Sequence, residues 1–376
     1  MYEFMLIFWV VVVVDTTLLY ASNYYRYRNS NASKFLYILS VIIIFLFLGT
    51  RFQIGRDFTT YCYIYDDFSF SHYGLNSHFG FEYGNFLITY ICRCLDTGPQ
   101  GYFLLTSLLQ VAFFFYMFKN CRSFLPYAFF LFMLCGPYSF LINGVRQGLA
   151  IFCFLCAIKP AEQRNKPKLS YFVFWMFMAF LFHNSSIILI PVYVLYNNKI
   201  LGLFNGKVLI SMILFGFMGY VFGVSKYINL DFIFMQDTKY SLYIDSSYFD
   251  TTSYEVGLGV VFSVFFYIFP LLFYKQIVRA FPESKIYLVV FSFGVCLKYL
   301  LGYNQIILRM SFYLIFALLF VYPYFIYSFK LKKINLRVLS SVLINVWFIV
   351  YFLSDYSFFW KNQTQLYPSV FGINLY

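Results

Sequence analysis

Long apolar runs alternate with short polar stretches along this chain, and few of the runs carry a charge. Runs such as 35–48, 102–118 and 256–274 approach the roughly 20 residues that take a helix through a bilayer core. The punctuation between them predicts about twelve helical spans, within a range of ten to thirteen. They lie near 3–21, 35–50, 102–118, 124–142, 145–159, 169–183, 186–198, 208–224, 256–274, 286–302, 308–329 and 338–354. The stretch 79–96 holds Glu82, Arg93 and Asp96 and is predicted to form a surface helix that does not cross. The seventh run is short and contains Pro191, which predicts a tilted or re-entrant segment.

Composition removes the alternative of a soluble globule. The chain is 62% hydrophobic and only 11% charged, against ~45–50% and ~25% in soluble domains. An all-α polytopic membrane protein follows, expected as one integral domain over 1–376. The net charge of +12 would suggest nucleic acid in a soluble protein. Here its distribution explains it. Eighteen of the 27 Lys and Arg fall in alternate loops on one face, beside only Glu162 and Glu283. By the positive-inside rule that face is cytoplasmic, both termini lie outside, and no nucleic-acid partner is needed. The apolar start over 4–14 lacks a basic n-region and reads as a retained span. The eight cysteines are scattered, and neither Cys92/Cys94 nor Cys153/Cys156 has a second ligand pair, so packed thiols are expected and no metal site.

Two loops are long enough to hold structure, 51–101 and 225–255, and both are expected to face outward. The second carries Asp231, Asp237, Asp245, Asp250 and Glu255 among tyrosines. Aromatic faces with carboxylates suit a sugar, and they equally suit a lid at headgroup depth.

Ionisable groups at span ends are costly and therefore informative. Four places stand out. After the second span come Arg51, Gly55, Arg56, Asp57 and Tyr61, a cluster whose guanidiniums match phosphate oxygens. Arg146 and Gln147 open the fifth span, where the positive end of a helix dipole adds to the arginine charge and favours an anion. His183 follows the sixth span and has the chemistry of a base or a phosphate contact. Lys298 and Arg309 flank the turn between the tenth and eleventh spans. The local alternatives are an Arg56–Asp57 ion pair, a snorkelling Arg51, and a histidine satisfied at a helix end. Four outward arginines at one depth favour a shared anionic ligand, and a lipid-linked pyrophosphate is a double anion held at that depth.

At these residues the sequence resembles a known family. Arg51-x-x-x-Gly55-x-Asp57-x-x-x-Tyr61, then Arg146-Gln147-x-x-Ala150, then His183-x-Ser185 resemble, in order and spacing, the EpsG-like branch of Wzy-type polysaccharide polymerases. Arg309 followed by Phe312-Tyr313, and the tail Leu366-Tyr367-Pro368, look like that family's later segments, although Ser369 stands where an aromatic is expected. The resemblance implies a GT-C-like helical fold. It also implies joining of undecaprenyl-pyrophosphate-linked oligosaccharides outside the bacterial inner membrane, for O-antigen, capsule or exopolysaccharide. A chain-length regulator and membrane lipids are the implied partners.

Residue by residue, the resemblance singles out Arg51, Gly55, Asp57, Arg146, Gln147 and His183. In the expected chemistry Arg51, Arg56, Arg146, Gln147 and Arg309 bind pyrophosphate, while Gly55, Tyr61, Glu82 and Lys298 make other substrate contacts. Asp57 and His183 lead as the base, with Glu82 third. Asp66-Asp67 are adjacent rather than spaced as in a D-x-D site, so arginines are expected in place of a metal, and no cofactor is expected. A lipid-linked oligosaccharide flippase and a membrane O-acyltransferase using His183 are the rivals. The flippase would line a midplane cavity with charge, and the acyltransferase leaves the arginines unexplained.

Overall fold

The computed structural model describes residues 2–52, 54–55, 57–68, 82–159, 167–224, 258–301 and 305–329. Among them all regular structure is helical, and the protein is an all-α, multi-pass membrane protein. The second loop, the twelfth predicted span, Arg56 and the tail motif lie outside the described residues. The described helices divide into two compact units, one ending at Ile190 and the other beginning at Pro191.

In the first unit, α1 (Tyr2–Tyr25) and α2 (Ser30–Gly49) form a hairpin. Asn29 starts α2 by accepting the Ala32 amide at 3.0 Å, which satisfies one orphan N–H of the first turn. Ser22 and Ser33 exchange hydroxyl-to-carbonyl bonds at 2.8 Å across the hairpin. The guanidinium of Arg122 bonds the Ser22 hydroxyl and lies 4.1 Å from the Tyr37 ring centroid. A cation of the basic face thus serves as a structural rivet.

After the short α3 (Phe58–Asp66) and α4 (Tyr83–Cys94), α5 (Gly98–Met117) packs on both α2 and α4. The α4 helix buries Asn85, Ile88, Thr89 and Cys92, one face at helical spacing. Its 12 residues reach about 18 Å, short of the ~30 Å core.

The predicted span 124–142 is two helices. Gly136 in the left-handed region (φ +92°) and Pro137 end α6 (Leu125–Leu134) and start α7 (Pro137–Asn143) across a 60° bend. Gly144 ends α7 in turn, and α8 (Val145–Ala157) begins. It packs on α9 (Leu169–Phe182).

Among the described residues five helices are long and apolar enough to cross a membrane, or seven if each bent pair is one span. The predicted twelve also counts shorter apolar segments. The segments at Val145–Ala157, Leu169–Phe182, Asn184–Tyr196 and Gly206–Val221 are as apolar as spans but have only 13, 14, 13 and 16 residues. At 1.5 Å per residue for an α-helix, or about 2.0 Å for a 3-10 helix, none reaches the ~30 Å core. Asn184–Tyr196, which contains Pro191, is moreover a 3-10 helix.

In the second unit the helix Gly206–Val221 lies close against Ser284–Leu301. A Cβ on Gly216 would sit 2.6 Å from the carbonyl oxygen of Cys296. Small residues permit this approach between helices. Gly216→Ala is expected to lower the thermal unfolding midpoint in detergent, by the equivalent of about 1–3 kcal/mol. Gly259→Ala, where a Cβ meets nothing within 4 Å, is expected to leave the midpoint unchanged or raise it slightly. Equal effects from the two would remove the close-packing account.

Candidate functional site

Three chain breaks in the first unit build the site. The first is the end of α2. Arg51 follows immediately and turns inward: it is 5% exposed, its Nη1 donates to the carbonyl of Ile142 at 2.7 Å, and its guanidinium lies 4.7 Å from the Phe103 ring centroid. It does not snorkel. Four residues on, Gly55 has φ +97°, and a Cβ there would fall 2.8 Å from that same carbonyl oxygen and 3.0 Å from Asn143 Oδ1. Glycine is required twice over, for the dihedral and for the approach. Arg51 and Gly55 therefore grip one point, the junction of α7 and α8.

That junction is the second break. Gly144 sets the start of α8, and Arg146 and Gln147 occupy its first turn. Gln147 is buried. The Arg146 side chain is 24% exposed and bonds the carboxylate of Glu82 through Nη1. The buried Tyr61 lies near the same guanidinium. Tyr61 is held in turn by stacking on Tyr102, centroids 5.6 Å apart at 24°.

The third break is the end of α9, capped by His183. The start of α4 presses against it: a Cβ on Gly84 would lie 2.9 Å from the Phe182 ring and 3.0 Å from the Leu181 carbonyl. This approach brings Glu82 beside His183, with Oε1 2.6 Å from Nδ1. Glu82 is only 2% exposed, against 20% for the His183 side chain. One buried carboxylate thus bridges a cation and an imidazole that lie 64 and 101 residues further along the chain. Next to it, Asn85 accepts the Tyr102 hydroxyl at 2.5 Å, which makes a polar floor within an otherwise aromatic core.

The structure therefore brings together Arg51, Gly55, Tyr61, Glu82, Arg146 and His183. Among the described residues, Asp57 joins none of these contacts; it stands at the start of α3 and makes no capping bond with its side chain. Lys298 and Arg309 belong to the second unit. Lys298 donates to the Tyr267 hydroxyl at 3.2 Å, and Arg309 is exposed.

Sequence reasoning ranked Glu82 below its neighbours and missed Asn85, Tyr102 and Phe103. Asn85, three residues after Glu82 on a short helix, carried a weak signal. Tyr102 and Phe103 carried none among 38 tyrosines and 54 phenylalanines.

None of the eight cysteines forms a disulfide, and Cys92, Cys135, Cys153 and Cys156 are buried. Burial pushes the Cys62 and Cys92 thiols above the ordinary range, with Asp66 adding to the effect at Cys62 and Thr97 opposing it at Cys92. Neither is a poised thiolate. Among the described residues no three His, Cys, Asp or Glu side chains converge as a metal cage requires.

The chemistry open to this arrangement is anion binding beside an imidazole. Arginine offers five N–H donors, more than one carboxylate uses. Arg146 stands at the positive end of α8 and keeps part of its surface exposed. The family whose model matches the chain is the EpsG family, over residues 34–368. No characterised protein and no solved structure is significantly similar to it.

Proposed function

The chain belongs to the EpsG family, and on that premise we propose that it polymerises undecaprenyl-pyrophosphate-linked oligosaccharide repeats at the outer leaflet of the bacterial inner membrane. The observation that carries this reading is the convergence of Arg51, Tyr61, Glu82, Arg146 and His183 on one site from five separate stretches of chain. The twelve-span, GT-C-like arrangement with two outward loops belongs to the same reading. So does a chain-length regulator as partner.

In this reading Arg146 and the α8 N-terminus hold the pyrophosphate, and Arg51 fixes the junction that aims them. Arg56 and Gln147 are the further anion contacts, and Tyr61 faces the sugars. A hydroxyl of one lipid-linked repeat attacks C1 of the growing chain. The C1–O bond to phosphate breaks, its electron pair leaves with undecaprenyl pyrophosphate, and the acceptor proton passes to a base, Asp57 or His183. The transition state carries oxocarbenium character on the sugar and growing negative charge on the leaving group. Preorganised guanidiniums in a water-poor site stabilise that charge, the part a metal plays elsewhere.

The test is a gel ladder of surface glycan from cells lacking the gene and from cells in which it is restored. Collapse of the ladder to a single repeat unit on deletion, with recovery on restoration, is the expected result. Loss of every repeat would instead favour the flippase, and an intact ladder with altered acylation the acyltransferase.

A further inference from the structure

We propose that Glu82 is a positioning residue that fixes the tautomer of His183, so that Nε2 of His183 takes the proton from the acceptor hydroxyl. The proposal rests on the polymerase reading and assigns its base.

The argument starts from donors and acceptors. Glu82 faces the Arg146 guanidinium with Oε2 and His183 Nδ1 with Oε1 at 2.6 Å. A carboxylate paired to a guanidinium only accepts hydrogen bonds, so Nδ1 must carry the imidazole proton. In the neutral imidazole Nε2 then holds a lone pair. Both Glu82 oxygens are committed and the residue is 2% exposed, while His183 keeps 20% of its side chain exposed. An incoming hydroxyl can thus reach the imidazole but not the carboxylate. As the acceptor O–H breaks, its electron pair forms the new bond to C1, the C1–O–phosphate bond breaks onto the pyrophosphate, and the proton settles on Nε2. The imidazolium that forms faces Glu82, which stabilises it. Because the same carboxylate touches Arg146, the group that receives the proton and the group at the leaving phosphate are held in one register.

Glu82→Gln keeps the shape and reverses the logic. Arg146 has only donors, so the glutamine carbonyl must turn to it, and the amide NH2 then faces Nδ1. His183 has to accept there, and its proton moves to Nε2, where it blocks the base.

Two measurements on the full chain in lipid test this. The protein has three histidines, so solid-state nitrogen spectra of histidine-labelled protein are simple, and His183→Gln identifies the His183 signals. The wild type is expected to show the Nδ1–H form, Glu82→Gln the Nε2–H form, and Glu82→Asp the Nδ1–H form again. The second measurement uses the lipid-linked repeat extracted from cells lacking the gene. For Glu82→Gln, kcat is expected to fall by about a hundredfold or more, while KM moves less than about threefold because Arg146 keeps an acceptor. Glu82→Asp is expected to recover much of kcat.

A wild-type Nε2–H tautomer overturns the proposal without any variant. So does a tautomer change in Glu82→Gln with normal kcat, or an equal loss in kcat and 1/KM. Failure of the wild type to extend the extracted repeat sinks the polymerase reading instead, and with it the base assignment, while the spectra still decide the tautomer.

Discussion

Arg146→Ala is expected to leave a single-repeat band where the wild type gives a ladder, a fall in polymerisation of at least about a thousandfold. Two losses combine. The site gives up the cation at the α8 N-terminus, and Glu82, 2% exposed, keeps a charge with no guanidinium opposite it. Breaking a buried pair from one side costs about 3–5 kcal/mol, so the single variant is also expected to unfold at lower temperature. The double variant Arg146→Ala/Glu82→Gln separates these effects. With no stranded charge, its unfolding midpoint should return most of the way to wild type, yet the ladder should stay collapsed. Arg146→Lys should fall between wild type and alanine, since lysine keeps a point charge but not the planar fork. A near-normal ladder from well-inserted Arg146→Ala protein would remove the pyrophosphate clamp.

The residues of the site were legible in the chain because charge is rare in it. Arg51, Arg146 and His183 interrupt apolar runs, and the cost of such interruptions marks them whatever the fold. Their mutual arrangement was not legible. Glu82 is one acid in a polar loop until α4 packs on the end of α9, a contact that depends on Gly84 having no side chain against Leu181 and Phe182. The bounds of the short helices were legible, since the predicted runs 145–159 and 169–183 match α8 and α9 within two residues. At 62% hydrophobic the pattern is saturated, so apolarity alone does not tell a 13-residue helix such as α8 from a full span. The 60° bend between α6 and α7 was foreshadowed by Gly136-Pro137, and the break at Gly144 by the gap between the runs 124–142 and 145–159; that Arg51 and Gly55 meet the Ile142 carbonyl at this break was not. The sequence offers no local trace of a bond across 91 residues.

Arg51→Ala should fail in a way that Arg146→Ala does not. Arg51 is 5% exposed and spends its Nη1 on the Ile142 carbonyl, with Phe103 under the guanidinium. A hydrogen bond from a charged donor contributes about 1.5–3 kcal/mol, and a desolvated cation–π contact about 1–2 kcal/mol. The variant is therefore expected to lose about 2–4 kcal/mol of stability after allowing for their overlap. Polymerisation should fall by about a hundredfold or more, because the start of α8 loses its anchor and a small misplacement of Arg146 is enough for such a loss. No second-site change at Glu82 should restore its midpoint, since no charge is stranded by the substitution. Arg51→Lys should recover part of the stability through its charge and single donor, but less of the activity, because one ammonium cannot hold the Ile142 carbonyl and cover the Phe103 ring as the flat guanidinium does. A normal midpoint with a collapsed ladder in Arg51→Ala would make Arg51 a direct anion ligand. A normal midpoint with a full ladder would mean that the α7–α8 junction is held without it, leaving Gly55 as its remaining contact from the end of α2.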